Sequence, residues 1–564
     1  MLPTRMMNAS RFSRPAALNT LFPLVVTLAT LVGSPVFAAE PVARWALGKP
    51  ATVSPLERET VATGGVTIVE GSPSGGGTST RFDGRGAYLT APLAADLNVG
   101  TGDFTAALWV KLDETGLDDQ GDLLSQFDPA TRTGWSLSIR TNGGVTNSQV
   151  NLRQLQFGID AGSEPVLTDA GRPGNSLYGM SIAVHAGKLY VGTCEAGATE
   201  TGHVYRYDGP DKWFDCGSPD VANAVTSMAV HKGQLYVGTG KYRLKGSSLN
   251  ESENPAFGGR IFRFVEPGRF EPMGQLPETE AVGGMVEFGG ALYASSLYPP
   301  AGFFRQGEGS TWTKLDSPNG KRNQAMIVHD GYLWATSYDG GQVYRFDGTR
   351  WEDLGLLEAN TQNYSFAVYR GDLYIGSWPS GKVYRYAGKA GFVDTGRLGE
   401  ELEVMGMLVH NGGLYAGSLP LAELYRYDGD QAWKRLAQLD QTPNTKYRRV
   451  WTAATYQGDS FWTTLPTGHI HRLRAGVATS WDEPFPMGWR HVAARKQGGK
   501  LTLWVDGKQV GESVEFTAEK FPLTTKAPLQ IGKGPGSTLL GTLSDVRLYR
   551  SALTADEITK LAKP

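Results

Sequence analysis

A set of aromatic, cationic and amide-bearing residues stands out because the repetitive part of the sequence does not require them. Aromatic rings can stack on sugars, and guanidinium, amide, imidazole and carboxylate groups can hydrogen-bond a polar ligand. These residues are Tyr242, Arg243, Arg322, Gln324, Tyr338, Asp339, Tyr364, Trp378, Arg448, Arg449, Trp451 and His469. The sequence therefore predicts that they form a ligand-binding site, with ordinary loop composition as the open alternative.

Whether these residues also catalyse a reaction is open at the level of the sequence. It contains no Gly-x-Ser-x-Gly elbow, His-Glu-x-x-His, Cys-x-x-Cys or phosphate-binding loop, so no catalytic residue is assigned. A polysaccharide lyase would need a tyrosine or histidine base and arginines that neutralise a uronate. The candidates for those roles are Tyr364, Tyr447, Arg448, Arg449 and His469. A glycosidase would need paired carboxylates, which are scarce here. Binding is the favoured function, and a polysaccharide-degrading enzyme is the alternative.

Residues 164–475 repeat a unit of roughly 40 residues, which indicates a β-propeller. The clearest copy runs from Ile327 to Gly355. Its first strand ends in His-x-Gly, a second follows at once, and Val-Tyr-Arg-Phe-Asp-Gly and Trp-Glu-Asp-Leu-Gly supply the third and fourth. The copies align on the turn between their first and second strands, and they predict seven blades. These turns begin at His185, His231, Phe288, His329, Tyr369, His410 and Tyr456.

The last copy lacks a fourth strand of its own. The segment Pro165–Ala170, which precedes the first copy, has the pattern of a fourth strand. We therefore expect it to close the ring as the outer strand of the last blade, because an unpaired strand edge is a liability.

The candidate binding residues lie in two sets of loops. One set connects second to third strands, and the other connects a fourth strand to the next first strand. Both sets open on the same face of a propeller, which we call the upper face. Its longest loop runs from Thr239 to Gly259, and further candidates there are Lys245, Tyr298, Asn363, Glu403 and Tyr447. The chain enters and leaves the ring on the opposite, lower side, so we expect the upper face to be open.

The flanks, residues 40–163 and 476–564, contain strand patterns without the repeat. They include FDGRGAYLTAP from Phe82, DFTAALWVKL from Asp103, MGWRHVAARKQGGKLTLWVDGKQVG from Met487 and LSDVRLYRSALTADEI from Leu543. In order and spacing these pieces resemble the laminin-G-like family of concanavalin A-like jelly rolls, over nearly all of both flanks. The resemblance implies one antiparallel sandwich. We therefore expect an all-β fold, an antiparallel jelly-roll sandwich with a seven-bladed β-propeller inserted in it.

The same resemblance implies that calcium is a candidate cofactor, because the family sometimes binds it. The acidic residues in question are Asp83, Asp506 and Asp545. The first two lie in Asp-Gly turns, which favours a structural role. We expect no other cofactor or metal.

Residues 1–39 have the pattern of a secretory signal peptide, with arginines first, then an apolar run and small residues at a cleavage site. An uncleaved anchor is the less favoured alternative. We expect a secreted or periplasmic protein, in which Cys194 and Cys216 can form a disulfide, with two buried thiols as the alternative. A net charge of −2 gives no support for a nucleic-acid or membrane partner. The expected partner is a carbohydrate or cell-surface ligand.

Overall fold

Residues 39–48, 58–113 and 117–564 are described by a computed structural model. The predicted signal peptide lies outside the described residues, apart from Ala39. The described part of the chain is all-β, and its one α-helix, α1, spans Ala555–Leu561. Short 3₁₀ turns lie at Ala95–Leu97, Leu244–Ser247, Pro318–Gly320, Gly388–Ala390 and Ala518–Lys520.

The first run of strands precedes the repeats. These are β1 (Ala43–Trp45), β2 (Val61–Thr63), β3 (Thr67–Glu70), β4 (Thr78–Asp83), β5 (Tyr88–Ala91), β6 (Phe104–Leu112), β7 (Gly121–Asp128), β8 (Thr133–Asn142) and β9 (Asn151–Ala161). Strand β6 is buried at every position but one. Its Ala106 and Leu108 pack into the main apolar core, whereas Ala107 packs with Ile558 of α1.

The repeats form the second run. Its strands are β10 (Val166–Asp169), β11 (Tyr178–His185), β12 (Lys188–Cys194), β13 (Val204–Gly209), β14 (Lys212–Asp215), β15 (Ala224–His231), β16 (Gln234–Gly240), β17 (Arg260–Glu266), β18 (Arg269–Gln275), β19 (Val282–Phe288), β20 (Ala291–Ser296), β21 (Phe303–Gln306), β22 (Trp312–Leu315), β23 (Asn323–His329), β24 (Tyr332–Ser337), β25 (Gln342–Phe346), β26 (Trp351–Leu356), β27 (Gln362–Tyr369), β28 (Asp372–Trp378), β29 (Lys382–Tyr386), β30 (Phe392–Arg397), β31 (Glu403–His410), β32 (Gly413–Leu419), β33 (Glu423–Gly429), β34 (Ala432–Gln438), β35 (Arg449–Tyr456), β36 (Asp459–Leu465) and β37 (Ile470–Arg474).

The third run follows the repeats and pairs with the first. It comprises β38 (Val477–Trp481), β39 (Trp489–Gln497), β40 (Lys500–Val505), β41 (Lys508–Glu512), β42 (Leu529–Ile531) and β43 (Leu540–Tyr549). One antiparallel sheet has the order β3-β4-β43-β6-β39-β40-β41, with β1 on β43, and the other β2-β5-β42-β7-β8-β9-β38. Phe104, Trp135 and Phe157 pack between them, with ring centroids 5.2 and 5.9 Å from that of Phe104. The two flanks therefore build a single sandwich.

The repeats form antiparallel four-stranded units. Strands β19–β22, β23–β26, β27–β30 and β31–β34 are separate sheets, and β11–β14 and β15–β18 are joined through one pair, Cys194 with Ala224. Strand β10 pairs with β37 at the outer edge of the sheet that contains β35 and β36, which is where the sequence predicts the closing strand. The first strands contact one another in chain order, and β35 contacts β11, so the units form a closed ring.

The hairpin tip between β8 and β9 fills the channel of this ring. Residues 143–150 of the sandwich are buried there and hydrogen-bond first strands around the ring. Gln149 N donates to Met228 O over 3.0 Å, and Phe366 N donates to Gly144 O over 2.9 Å. The Thr452 hydroxyl donates to Val145 O over 2.8 Å. We call residues 143–150 the plug. The sequence does not predict it, because its residues read as an ordinary hairpin loop.

The sandwich lies against the turns between the first and second strands of the ring. Asp330 N donates to the Asp118 carboxylate over 2.7 Å, and Gly187 N donates to Asp482 O over 3.1 Å. Asn411 Nδ2 donates to Ile159 O over 3.1 Å. These turns define the lower side, so the two sets of loops with the candidate residues lie on the opposite face.

The predicted disulfide is wrong: Cys194 and Cys216 are both free and buried. They lie beside opposite edges of β13, because Thr193 N donates to His203 O and Cys216 N donates to Val204 O. Two strand spacings are about 9–10 Å, beyond the about 7 Å that a disulfide can span between Cα atoms. The two thiols also belong to different apolar clusters.

Candidate functional site

One register position recurs at the start of every first strand of the ring. It lies three residues before the small residue that packs near the channel axis. Its occupants, which we call the mouth positions, are Tyr178, Ala224, Ala281, Arg322, Gln362, Glu403 and Arg449. Equivalent positions of adjacent strands surround the upper mouth of the channel. Since these occupants differ while the surrounding framework repeats, they are candidates for function rather than for framework.

Aromatic side chains gather around this mouth in one cluster. Tyr178 lies with its ring centroid 5.6 Å from that of Trp451 and 5.4 Å from that of Tyr242. The rings of Tyr338 and Tyr364 are 5.6 Å apart. All five aromatic residues of the predicted set belong to the cluster. Its aromatic members are Tyr178, Tyr242, Tyr298, Tyr338, Tyr364, Trp378, Tyr447 and Trp451.

Two charged mouth residues lie within this cluster. The Arg449 side chain is buried, and its Nη1 donates to the Ser247 hydroxyl over 2.6 Å. Glu403 is also buried, and its Oε1 has no hydrogen-bond partner among the described residues. Burial raises the pKa of Glu403 to about 7, although Arg449 acts in the opposite direction. The hydroxyl of Tyr178 likewise lacks a partner in the described part of the chain.

The long loop after β16 covers the centre of the mouth. Ala224 and Ala281 occupy two adjacent mouth positions, and Leu244 of the loop packs fully buried with them. The Tyr242 and Ser247 hydroxyls of the loop are 2.8 Å apart. The expectation of an open face is therefore wrong at its centre, because small side chains at two mouth positions leave room for the loop.

The rim of the face carries exposed or half-buried candidates in fixed pairs. The Arg322 guanidinium lies 4.5 Å from the Tyr338 ring and donates to Asp339 over 2.5 and 2.8 Å. Arg243 lies 4.6 Å from the Tyr298 ring. Half-buried side chains nearby belong to Trp378, Tyr447 and Arg448. The rim therefore offers aromatic rings and cations to solvent, whereas the centre does not.

Two predicted residues do not join the site. Gln324 is buried and donates from Nε2 to Asn147 Oδ1 of the plug over 2.6 Å, so it belongs to the channel filling. His469 Nδ1 lies 2.7 Å from Asp169 Oδ2 at the end of β10, the outermost strand of its sheet. His469 is therefore far out on its blade and outside the aromatic cluster.

Sequence reasoning missed Tyr178 and Ser247. Tyr178 occupies the same register position as Arg449, and aligning the repeats at the starts of their first strands, rather than at their turns, would have found it. No sequence signal points to Ser247, because its contact with Arg449 joins distant parts of the chain.

Metal binding has no support among the residues described. No group of three or more His, Cys, Asp or Glu side chains there is arranged to hold an ion. Asp83 accepts from the amides of Arg85 and Ala87, as a turn residue does. Asp545 bonds two arginines. Within 39–48, 58–113 and 117–564 no helix is long and apolar enough to cross a membrane.

Part of the chain matches a known family. Residues 425–559 match the model of the concanavalin A-like lectin/glucanases superfamily. This match includes the last strands of the sandwich and the end of the ring. No curated protein matches the chain.

Solved structures similar to the chain cover about half of it. A streptogramin B lyase has a TM-score of 0.44 and 16% identity, over 55% of this chain and 98% of that one. The extracellular domain of a one-component system from B. thetaiotaomicron has a TM-score of 0.40 and 15% identity, over 55% of this chain and 40% of that one. The WD40 β-propeller domain of Doa1 has a TM-score of 0.38 and 12% identity, over 55% of this chain and 96% of that one.

Proposed function

We propose that this protein binds a carbohydrate, or another ligand of a cell surface, at the upper face of its ring. One observation carries the proposal. The Tyr178 hydroxyl and Glu403 Oε1 are buried without hydrogen-bond partners in the described chain, at an aromatic cluster, and Arg449 is close enough to act on the charge of both. Such orphaned groups are uncommon and costly in folded proteins, so they favour a site where a ligand's own polar groups complete the bonding.

The proposed organisation of the chain follows from the same ring. We propose seven blades, residues 164–475, inserted in a concanavalin A-like sandwich of residues 40–163 and 476–564. Export through the signal peptide at residues 1–39 would place the upper face in contact with extracellular or periplasmic ligands. The superfamily match at residues 425–559 supports the sandwich, and it also suits carbohydrate binding.

Binding would begin at the rim. The half-buried Trp378 and Tyr447 can stack on sugar faces, and the Arg322 guanidinium can share its donors with hydroxyl or carboxylate oxygens. The ligand would then reach the centre only when the loop that carries Ser247 shifts, because that loop covers Arg449. The rim residues would therefore make the first contacts with the ligand, and the loop would control access to Arg449, Tyr178 and Glu403.

The enzymatic alternative has one specific observation in its favour. Glu403, with a pKa of about 7, is suited to give or take a proton near neutral pH. Burial raises the pKa of Tyr178 and of Tyr364 well above the ordinary value, which suits a proton donor and not the base of a lyase. Glu403 is also the one carboxylate among the mouth positions, and a glycosidase needs two.

A polysaccharide panel tests the proposal on the full chain. Neutral, uronate-containing and sulfated polysaccharides are titrated against the protein and against Trp378→Ala. We expect Trp378→Ala to weaken binding about tenfold, the value of one stacked ring, while the circular dichroism spectrum is unchanged. The matched control is Phe214→Ala, an exposed aromatic on the outer strand β14.

The same incubations distinguish binding from turnover. Absorbance of unsaturated products detects a lyase, and new reducing ends detect a glycosidase. Equal affinity in the wild type, Trp378→Ala and Phe214→Ala would place the binding site away from the upper face. Product that accumulates with time and vanishes in Glu403→Gln would establish the enzyme instead.

A further inference from the structure

A recess between the sandwich and the lower side of the ring contains three arginines. Arg132 lies in the turn between β7 and β8, Arg370 in the turn between β27 and β28, and Arg426 on β33. The recess has a volume of about 270 Å³. This is slightly below the about 300–1,000 Å³ typical of sites for drug-sized ligands, so the recess suits a monosaccharide-sized molecule or a smaller one.

Arg426 lines this recess and has a buried donor without a partner. Its side chain is 6% exposed, and Nε and Nη2 donate to the two Asp428 oxygens over 2.6 and 3.0 Å. Its Nη1 has no hydrogen-bond partner among the described residues. A guanidinium nitrogen that is desolvated without a bond is costly, and an anion in the recess would supply the missing acceptor.

Arg370 supplies a second cation that is not neutralised by the protein. No carboxylate of the described residues lies within ion-pair distance of its guanidinium, which rests 5.0 Å from the Tyr369 ring centre. Its backbone N donates to Gly536 O over 2.5 Å, so the sandwich holds the turn in place. Arg370 is exposed at the rim of the recess and can reach an anion without breaking an existing ion pair.

Arg132 contributes from the sandwich side. Its guanidinium donates to Ser163 O over 3.0 Å and to Gly162 O over 2.8 Å, and it lies 3.5 Å from Asp160. Asp160 and Asp428 are the carboxylates that line the recess. Glu164 lies 4.0 Å from Arg132 outside the lining and is itself paired with Lys434 over 2.8 Å. Three guanidinium groups and Lys434 against three carboxylates leave an excess of one positive charge, which favours an anion over a neutral or cationic ligand.

We infer that this recess binds an oxyanion, a carboxylate, sulfate or phosphate group, that is free or carried on a unit no larger than a monosaccharide. The site needs both modules, because Arg132 comes from the sandwich and Arg370 and Arg426 come from the ring. It is separate from the upper face, which lies at the other end of the channel.

The repeat provides a matched control for Arg426. Arg206 occupies the same place in the Tyr-Arg-Tyr-Asp-Gly motif and bonds Asp208 in the same way, over 2.7 and 2.8 Å. Its side chain is 25% exposed and lies over the Phe214 ring, outside the recess. Arg206 therefore has the framework role of this position but does not line the recess.

Titration calorimetry of the full chain tests the inference, with sodium glucuronate, sodium sulfate and sodium phosphate against sodium chloride at matched ionic strength. We expect at least one of the three anions to bind saturably. Arg370→Ala and Arg426→Gln should each weaken it about tenfold or more, whereas Arg206→Gln and the upper-face variant Trp378→Ala should leave it unchanged. Circular dichroism and the Tm check each fold. If Arg426→Gln unfolds, Arg370→Ala decides, because its side chain has no ion pair to lose.

The outcomes separate the sources of the anion. Binding of glucuronate alone assigns the site to an acidic sugar, binding of sulfate or phosphate alone to an inorganic oxyanion, and binding of both kinds to the oxyanion group itself. The inference is overturned if none of the three anions binds, or if Arg370→Ala binds as tightly as Arg206→Gln does.

Discussion

The Arg449 guanidinium donates to the Ser247 hydroxyl over 2.6 Å, although the two residues are 202 positions apart in the chain. Ser247 belongs to the loop after β16, and Arg449 begins β35, so the bond crosses the mouth of the ring. The bond holds the loop after β16 against the charged centre of the proposed site. A ligand that uses Arg449 must therefore replace this bond.

The Ser247→Ala variant should bind the upper-face ligand more tightly. It removes the competing acceptor of Arg449, and a net hydrogen bond is worth about 0.5–1.5 kcal/mol, so affinity should rise roughly two- to tenfold. Titration with the polysaccharide that the panel identifies measures the affinity of Ser247→Ala against that of the wild type. Ser248→Ala, at the exposed neighbouring position, is the control and should change nothing. Unchanged affinity in Ser247→Ala would mean that the ligand does not reach Arg449.

Trp451→Ala should destabilise the protein. The sequence predicts Trp451 as a ligand-binding residue, but its side chain is buried and its Nε1 donates to Met180 O over 2.8 Å. Truncating a buried tryptophan costs about 3–5 kcal/mol. Urea unfolding should show this loss, and the half-buried Trp378→Ala should cost clearly less. Equal losses in the two variants would contradict the difference in burial.

The Glu403 carboxyl should make the free energy of unfolding fall as pH rises. Burial raises its pKa from 4.5 to about 7, so between these values the folded state binds more protons than the unfolded state. Stability is therefore lost as pH increases through this window, by up to about 3 kcal/mol.

Glu403→Gln should remove that part of the pH dependence, because the amide stays neutral. Urea unfolding at pH 4.5, 6 and 8 measures it, with the exposed Glu400→Gln as the matched control. If Glu403→Gln keeps the slope of the wild type, the carboxyl is charged in the folded protein and the proposed acid–base role loses its support.

Asn147→Ala should loosen the plug. Asn147 Nδ2 donates to Thr226 O over 2.8 Å, and its Oδ1 accepts from Gln324. The variant leaves two buried groups without partners, at a cost of about 2–4 kcal/mol in all. Chemical denaturation measures the loss, and the exposed Asn175→Ala is the control. No loss of stability would mean that the plug does not brace the ring.

The ring expressed alone, Glu164–Ala475, extends this test. The sequence predicts a folded fragment, because the closing strand lies within it. The structure adds that the fragment lacks the plug, whose residues bond first strands on several sides. We expect the fragment to fold with a lower Tm and with faster amide exchange in its first strands than in the full chain. A fragment as stable as the full chain would contradict this.

Much of the fold could be predicted from the sequence, because local patterns specify it. The repeated Tyr-Arg-Tyr-Asp-Gly strands and His-x-Gly turns predict four-stranded units, and Pro165–Ala170 predicts the strand that pairs with β37. The alternating strands of the two flanks predict the sandwich, and residues 425–559 match the model of a concanavalin A-like superfamily. Periodicity works here because each strand must place one side on a core.

The candidate site was predicted only in part. The sequence indicated the loops on the upper face because their aromatic and cationic residues do not recur from unit to unit. The aromatic residues of the predicted set do lie together in one cluster at the mouth of the ring. Tyr178 was missed, Gln324 was assigned to a ligand although it contacts the plug, and the two cysteines were paired across an intervening strand.

The sequence by itself determined the strands, their turns and the face on which the unusual residues lie. Only the tertiary structure decided which of those residues are exposed, which are covered by the loop with Ser247, and which contact the plug. The same holds for the recess, where the motif makes Arg206 and Arg426 identical and packing makes them differ. The physical reason is that burial and hydrogen bonding depend on contacts between residues hundreds of positions apart, which no local pattern records.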